Sequence, residues 1–487
     1  MHNANIIMDQ FVWEENVEIT AADIPKFTKG IEFGRAFDQP IGPNVLPDSI
    51  KSIAFGEYFD QPIEQGVLPD SLKSIVFGCD FNQPIEQGVF PDSLKFIEFG
   101  YCFDQPIEQG VLPESLKSIE FGNEFNQPIG QDVLPGSINI VVFGGMFNQP
   151  IEQNVLPDSI KSIVFNDIFN QSIGPDVLPK SLISIELSNK FNQPICIGCL
   201  PDSIESIVFG CGFDQPMEPN VLPNSLKSIV FGRAFNQPME PNVLPNSLKS
   251  IVFGSRFDQP IGPNVLPNSL KSIVFGVRFN QSLEVGTLPG SLESIEFLRR
   301  FNKLIAPNVL PLSLKSIIFG QEFNQPIGPD VLPGSLESII LGNGFNQPIG
   351  ENTLPDSLKF IKYGQMYNNP ISALYHLNYL EHISLDTTND IYVNVDLLPP
   401  SLKYLTICNE NTALSLNSES QRMWFSVILQ YPSKILDVNY PILWYAGIPM
   451  DSGYEIIGTE TVDRRIYDKI INPVHYQPRS NAKSARK

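Results

Sequence analysis

The sequence predicts a mainly β solenoid of 22-residue coils, each carrying one short parallel strand, and three observations support this prediction. A Leu-Pro step, once Phe-Pro at Phe90, recurs every 22 residues from Leu46 to Leu354 without an insertion. A Phe-Asn or Phe-Asp step recurs at the same spacing from Phe37 to Asn346. A fixed period of this size is typical of solenoid proteins. Most repeats also carry two prolines, which exclude a helix of ordinary length on the return path.

Each repeat divides into a strand and an extended return segment. Residues 72–77 (Leu-Lys-Ser-Ile-Val-Phe) alternate apolar and other side chains and include β-branched and aromatic types, which predicts a short strand. Pro69 and Pro84 favour an extended or polyproline-like back. Tight turns are expected at Gly78 and near Gly88.

Stacking is what makes these coils stable. Strands stacked in register lie about 4.8 Å apart and form a parallel sheet. Burying an apolar side chain is worth roughly 1.5–3 kcal/mol, and ordering each residue costs about as much, so a lone coil cannot fold. The predicted interior of one coil consists of Leu72, Ile75, Phe77, Phe81, Ile85, Val89 and Phe90.

One polar column runs through the array where Asn or Asp follows the repeated Phe. Both residue types offer a short side-chain oxygen that accepts hydrogen bonds from backbone N–H groups. We therefore expect an acceptor ladder along the stack, with a structural and not a catalytic role. Its first members are Asp38, Asp60, Asn82, Asp104, Asn126, Asn148, Asn170 and Asn192.

Both ends of the array are expected to be capped. Residues 1–23 carry enough apolar side chains to cover an open end of the stack, which favours an N-terminal cap. The regular array spans 24–371, and degenerate repeats at 372–409 keep the strand spacing. We expect a C-terminal cap at 410–476 and a disordered basic tail at 477–487.

The 22-residue spacing of apolar residues continues weakly into the predicted C-terminal cap. Trp424, Val427 and Leu429 would place one more strand in the same frame. The stretch 420–431 also fits an amphipathic helix, and the sequence alone does not decide between the two.

The charge and composition of the chain restrict the classes of partner that it can bind and the compartment in which it is expected. The formal charge of −21 over 487 residues disfavours binding to nucleic acid or to an anionic membrane. The sequence has no apolar run of about 18 residues and no signal-peptide plan at its start. Six cysteines in this length also fit a reducing compartment, so we expect an intracellular protein. We also expect the protein to be a monomer.

Cys196 and Cys199 form a CxxC pair without a second ligand pair at metal spacing. In the repeat frame Cys199 falls on an inward column usually held by Val. We interpret the pair as two incidental thiols and predict neither a metal site nor a cofactor.

The run Leu-Pro-Asp-Ser-Leu-Lys-Ser-Ile-Val-Phe-Gly-x-x-Phe-Asn-Gln-Pro-Ile at 68–85 resembles the FNIP repeat, a short relative of the leucine-rich repeat found mainly in slime moulds and giant amoebal viruses. The resemblance covers about residues 24–371. It implies a right-handed, leucine-rich-repeat-like solenoid used for protein–protein contact, with Phe37, Asp38 and their counterparts as scaffold. Some relatives place an F-box before the repeats to recruit a ubiquitin ligase, and 23 residues before the first coil are too few for that domain.

Recognition is expected in the columns that vary between coils. The most variable pair of positions follows the Gly that ends each strand, and we call these the first and second edge positions. All arginines between residues 31 and 370 fall there. Five of them occupy four consecutive coils and define the arginine strip: Arg233, Arg256, Arg278, Arg299 and Arg300.

At about 4.8 Å per coil the arginine strip would be roughly 15–20 Å long on an acidic body. Arginine clusters suit carboxylate or phosphate recognition through paired hydrogen bonds. We hypothesise an anionic docking site for an acidic or phosphorylated segment of a partner protein. The alternative is that the strip only neutralises nearby Glu and Asp.

The outward strand columns give a second candidate surface. Serines such as Ser74 alternate with valines, which predicts a weakly polar face with an apolar stripe. This stripe could meet a partner strand or helix, or simply reflect β-propensity. Its valines are Val76, Val164, Val208, Val230, Val252 and Val274.

The sequence gives little support for catalysis. Its histidines are His2, His376, His382 and His475, and none lies beside a plausible nucleophile and carboxylate. Serines that recur in every coil indicate turn structure and not one activated nucleophile. We expect a non-enzymatic scaffold that binds proteins in the host cytoplasm; the alternatives are a substrate-recruiting subunit for ubiquitination and a structural or virion protein.

Overall fold

The computed structural model describes residues 10–386, 392–394, 398–407, 413–415 and 426–429. The chain divides into two compact units, Met1–Phe231 and Gly232–Lys487, and each is taken by itself below. No helix in the described part of the chain is long and apolar enough to cross a membrane.

The first unit is a parallel β-solenoid. Each strand pairs in parallel with the strand before it in the sequence, and from the second strand onward the partners lie 22 residues apart, as Ser206 and Ser228 do. Its strands are β1 (Gln10–Trp13), β2 (Gly30–Phe33), β3 (Ser52–Ala54), β4 (Ser74–Val76), β5 (Phe96–Glu98), β6 (Ser118–Glu120), β7 (Ile140–Phe143), β8 (Ser162–Phe165), β9 (Ser184–Glu186), β10 (Ser206–Val208) and β11 (Ser228–Val230).

The second unit repeats this plan. Its main sheet joins neighbouring strands in parallel from β12 to β18, then β18 to β20 and β20 to β22, while β19 pairs with β21. A short 3-10 helix covers Ser372–Leu374. The strands are β12 (Ser250–Val252), β13 (Ser272–Phe275), β14 (Ser294–Phe297), β15 (Ser316–Ile318), β16 (Ser338–Ile340), β17 (Phe360–Tyr363), β18 (His382–Leu385), β19 (Tyr392–Asn394), β20 (Tyr404–Ile407), β21 (Ala413–Ser415) and β22 (Ser426–Leu429).

The prediction of one short parallel strand per 22-residue coil is confirmed in both units. The strand predicted from the weak 22-residue pattern beyond residue 410 is also present, because Ser426–Leu429 is a strand and pairs with Tyr404–Ile407. The helical alternative is therefore wrong for these four residues. Gln10–Trp13, within the predicted N-terminal cap, pairs with β2, while residues 1–9 and the predicted tail at 477–487 lie outside the described residues.

Phenylalanine columns fill the interior. The ring of Phe81 is fully buried, and its centroid lies 6.1 Å from that of Phe59 and 6.0 Å from that of Phe103, with near-parallel planes. Within its own coil it stacks on Phe77 at 4.2 Å. All seven side chains predicted for the interior of this coil are buried. Identical rings stack because in-register coils bring equal positions together.

A left-handed turn explains another column of the repeat. One position in each coil has a positive φ, which only Gly, and to a lesser extent Asn and Asp, adopt at little cost. The sequence predicts a turn near Gly88 and gives no reason for the residue types. The column holds Asn44, Gly66, Gly88, Gly110, Asp132, Asn154, Asp176, Gly198, Asn220, Asn242, Asn264, Gly286, Asn308, Asp330 and Asn352.

The predicted apolar stripe on the outer strand face is not exposed. Val208, Val230 and Val252 are only 8%, 3% and 4% exposed, and Val76, Val164 and Val274 are partly buried. Pairing in register places each side chain against its counterparts, as Val208 lies opposite Val230. The column therefore shields itself and offers little apolar surface to a partner.

Candidate functional site

The polar column of the repeat forms a continuous set of hydrogen bonds. The Asn82 N–H donates to Asp60 Oδ1 over 2.8 Å, and the Asp104 N–H donates to Asn82 Oδ1 over 2.9 Å. The amide of Gln105 donates to the same Asn82 oxygen over 3.1 Å. Each side chain thus accepts a backbone and a side-chain hydrogen bond from the next coil. This arrangement requires an acceptor oxygen and not a carboxylate charge.

The same pattern links the rest of the predicted ladder. The N–H groups of Asp60, Asn126, Asn148, Asn170 and Asn192 each donate to the side-chain oxygen 22 residues earlier. Asp38 accepts from Asp60 over 3.1 Å. Each member thereby satisfies a backbone donor of the neighbouring coil.

The edge positions form a second linkage between coils. Where two neighbouring coils are joined in this way, the N–H of the second edge residue in one coil donates to the carbonyl of the first edge residue in the coil before it. Arg256 donates to Arg233 over 3.0 Å, and Glu322 donates to Arg299 over 2.8 Å. Arg278 and Arg300 donate to Ser255 and Val277 in the same way. These bonds fix the backbone from which the variable side chains project.

The arginine strip lies on these edge turns in the second unit. Arg256, Arg278 and Arg300 hold the second edge position of three consecutive coils, and Arg233 and Arg299 hold first edge positions. All five arginines are exposed. Arg299 pairs with Glu322, whose Oε1 lies 3.2 Å from its Nε, and none of the other four forms an ion pair within the described residues.

Arg35 shows how the fold neutralises an edge arginine. Its Nη2 lies 2.9 Å from Glu57 Oε1 and its Nε 2.6 Å from Glu57 Oε2, so both carboxylate oxygens of the next coil are engaged. Its guanidinium also lies 5.3 Å from the ring centroid of Tyr58. A Glu at an edge position of the next coil can thus hold an edge arginine. Within the described residues only Arg299 of the strip forms such an ion pair, with Glu322 at the second edge position.

A lysine column at the start of the strands is a feature that sequence reasoning missed. In the first unit Lys95 Nζ donates to Ser115 O, and Lys117 Nζ donates to Ser137 O, both over 3.1 Å. In the second unit Glu293 alternates with lysines and pairs with Lys271 at 2.7 Å and Lys315 at 3.0 Å. The 22-residue spacing of the lysines was the available signal. These cations already have protein partners.

The CxxC pair differs from the prediction. Cys196 and Cys199 are joined by a disulfide, with their Cα atoms 5.3 Å apart. The left-handed turn at Gly198 brings them together, and the Cys199 N–H donates to Cys196 O over 3.1 Å. The interpretation as incidental thiols is therefore wrong. The inward position of Cys199 is confirmed, since it is 1% exposed.

His382 and the recurring serines, which were weighed for catalysis, have structural contacts. The half-buried His382 lies 2.9 Å from Thr406 Oγ1, and burial lowers the pKa of its imidazole. The recurring serine hydroxyls donate to carbonyls of the preceding coil, as Ser137 does to Leu116 over 2.6 Å. His376 is exposed, and His2 and His475 lie outside the described residues.

The stacked 22-residue coils, the single strand in each and the buried columns define a repeat solenoid of the leucine-rich-repeat type. The family model of the FNIP repeat matches the chain along most of its length, and the chain belongs to this family. The matches cover 16–58, 59–102, 103–145, 147–190, 191–234, 213–256, 235–278, 257–299, 279–321, 301–344 and 345–374.

Solved structures agree with this placement. CroV588, described as a circular leucine-rich-repeat protein and coming from a giant virus, is 36% identical with a TM-score of 0.69, over 86% of this chain and 70% of its own. A chain of the TLR13–ssRNA13 complex is similar in fold alone, with 12% identity and a TM-score of 0.53 over 79% of this chain and 63% of its own. No curated protein matches the sequence.

Proposed function

We propose that the protein is a non-enzymatic repeat scaffold that binds a partner protein in the host cytoplasm and docks an acidic or phosphorylated segment of it on the arginine strip. The observation that carries the proposal is a set of four exposed arginines that form no ion pair within the described residues: Arg233, Arg256, Arg278 and Arg300. Arginines on successive coils, whose strands are about 4.8 Å apart, carry like charges that repel each other, so an external anion would relieve the repulsion. Guanidinium groups bind carboxylate and phosphate oxygens through paired hydrogen bonds.

The contrast with other cations in the chain supports this proposal over simple charge neutralisation. Arg35 has Glu57, and Lys271 and Lys315 share Glu293. Where the fold neutralises a cation, it places a carboxylate one coil away. In the arginine strip only Arg299 forms such an ion pair in the described residues. A purely neutralising role would not explain why the other four arginines form no ion pair in the part of the chain that the structure describes.

Affinity capture from host-cell lysate followed by mass spectrometry tests the function. The baits are the wild type, a variant with all five strip arginines changed to alanine, and the matched control Arg35→Ala. Partners retained by the wild type and the control but lost from the strip variant support the proposal. Equal recovery by all baits would contradict it, and ubiquitin-ligase subunits among the lost partners would favour the recruitment alternative.

Folding stability separates docking from neutralisation without a partner. If the four arginines that form no ion pair within the described residues serve docking, changing them to glutamine should change the free energy of unfolding by less than about 0.5 kcal/mol, because no contact within the fold is lost. A neutralising role predicts a loss of stability. Urea denaturation of the wild type and the fourfold variant decides between them.

A further inference from the structure

A cluster of metal-ligating side chains lies on the edge turns of the first unit. Cys79 and Asp80 hold the two edge positions of one coil, and Cys102 holds the second edge position of the next. The Cys102 N–H donates to Cys79 O over 2.8 Å, which fixes the two cysteines side by side. The two sulfurs and a carboxylate oxygen of Asp80 lie within 4.8 Å of one another.

We propose that Cys79, Asp80 and Cys102 form a binding site for Zn²⁺ with a fourth position open to water. In tetrahedral zinc sites the Zn–S distance is about 2.3 Å and the Zn–O distance about 2.0–2.2 Å, so ligand atoms lie about 3.5–3.8 Å apart. The three donors therefore reach this geometry by small rotations of their side chains. The backbone bond between the coils holds them in place.

The types of donor atom in this cluster decide which metal ion suits it. Ca²⁺ and Mg²⁺ take oxygen ligands, and Cu⁺ prefers sulfur alone. Two sulfurs with one carboxylate suit Zn²⁺, which accepts both kinds of ligand. Within the described part of the chain this is the one group of three such donors close enough to share an ion.

The surroundings of the two thiols carry negative charge. The carboxylates of Asp80 and Glu124 act on Cys79 and Cys102. Negative charge at this place attracts a divalent cation, and a coordinating thiol is deprotonated by the ion that it binds.

Metal titration of the full-length, reduced protein tests the site. Co²⁺ serves as the spectroscopic probe, because thiolate ligation gives it near-ultraviolet charge-transfer and visible bands, and Zn²⁺ then displaces it. We expect one Co²⁺ per chain with thiolate bands, and Zn²⁺ binding weakened at least about 100-fold by Cys79→Ser or Cys102→Ser. Asp80→Asn should weaken it about 10–100-fold while leaving both thiols in place.

Two matched controls separate this site from other sulfurs. Cys211→Ser removes a free, partly buried cysteine outside the cluster, and the double change Cys196→Ser/Cys199→Ser removes the CxxC pair that reduction would open. Both should bind Co²⁺ as the wild type does. Absence of thiolate bands in the wild type, or bands that depend on the CxxC pair and not on Cys79, would overturn the proposal. A Cys79 variant that loses its β-sheet circular dichroism has failed to fold, and the test then depends on Asp80→Asn. Wild-type affinity of Asp80→Asn for Zn²⁺ would overturn the proposal.

Discussion

Changing Asn82 to alanine tests how the polar ladder joins neighbouring coils. Its Oδ1 accepts the Asp104 N–H at 2.9 Å and the Gln105 amide at 3.1 Å, and both are lost in alanine. The bond that the Asn82 N–H donates to Asp60 is retained. A partly buried N–H without an acceptor costs about 1–3 kcal/mol. We therefore expect the free energy of unfolding to fall by about 1–3 kcal/mol.

The assay combines urea denaturation with hydrogen exchange. Each coil contacts only its neighbours, so the amide of Asp104 should lose protection while amides several coils away keep theirs. Asn82→Asp is the matched control, because Asp60 and Asp104 accept the same bonds in this column. Asn224→Ala removes an exposed Asn elsewhere and should change stability by less than about 0.5 kcal/mol. Wild-type stability and Asp104 protection in Asn82→Ala would refute the reasoning.

Three further predictions concern packing and charge. Gly78→Ala should cost about 1–3 kcal/mol in urea denaturation, because its Cβ would overlap the carbonyl oxygen of Gly56, whereas Gly136→Ala, with open space around it, should be nearly neutral. Phe103→Ala, at a fully buried ring, should cost about 3–5 kcal/mol, and a smaller loss than Phe103→Leu would contradict the stacked core. Burial, followed by the charge of Glu120, raises the pKa of Glu98 above its ordinary value, so ionisation of Glu98 destabilises the fold as pH rises from the unfolded-state pKa to the folded-state pKa. Glu98→Gln should therefore stabilise the protein at neutral pH and not at a pH where Glu98 is protonated, as thermal melts at both pH values would show.

The repeated residues made the fold predictable. The period, the strand positions and the buried side chains from Leu72 to Phe90 follow from spacing and polarity alone. A repeated position reports the same environment many times, so a pattern such as Phe every 22 residues has one simple structural explanation. The left-handed column needed backbone angles, because Gly88 and Asn154 share φ and not side-chain chemistry.

The candidate site was less accessible to sequence reasoning. Spacing placed the arginines on consecutive coils, but it could not show that Glu322 pairs with Arg299 while the other four have no carboxylate in the described residues. Exposure of the valine stripe was predicted wrongly, because alternation identifies the outer face and does not measure shielding by neighbouring coils. The approach of Cys79 to Cys102 depends on the edge turn, where positions 23 residues apart are joined.

Fluorescence anisotropy with a labelled phosphoserine peptide tests the docking strip most directly. An extended peptide with phosphates on alternate residues is titrated with the wild type, the fourfold glutamine variant of Arg233, Arg256, Arg278 and Arg300, and Arg35→Gln. At about 0.5–1 kcal/mol per arginine, the fourfold variant should bind about 30–1,000-fold more weakly, while Arg35→Gln binds as the wild type. The wild-type affinity should also fall as salt is added, because exposed charge pairs are screened. Equal affinity of the wild type and the fourfold variant would contradict the proposal that the arginine strip is an anionic docking site.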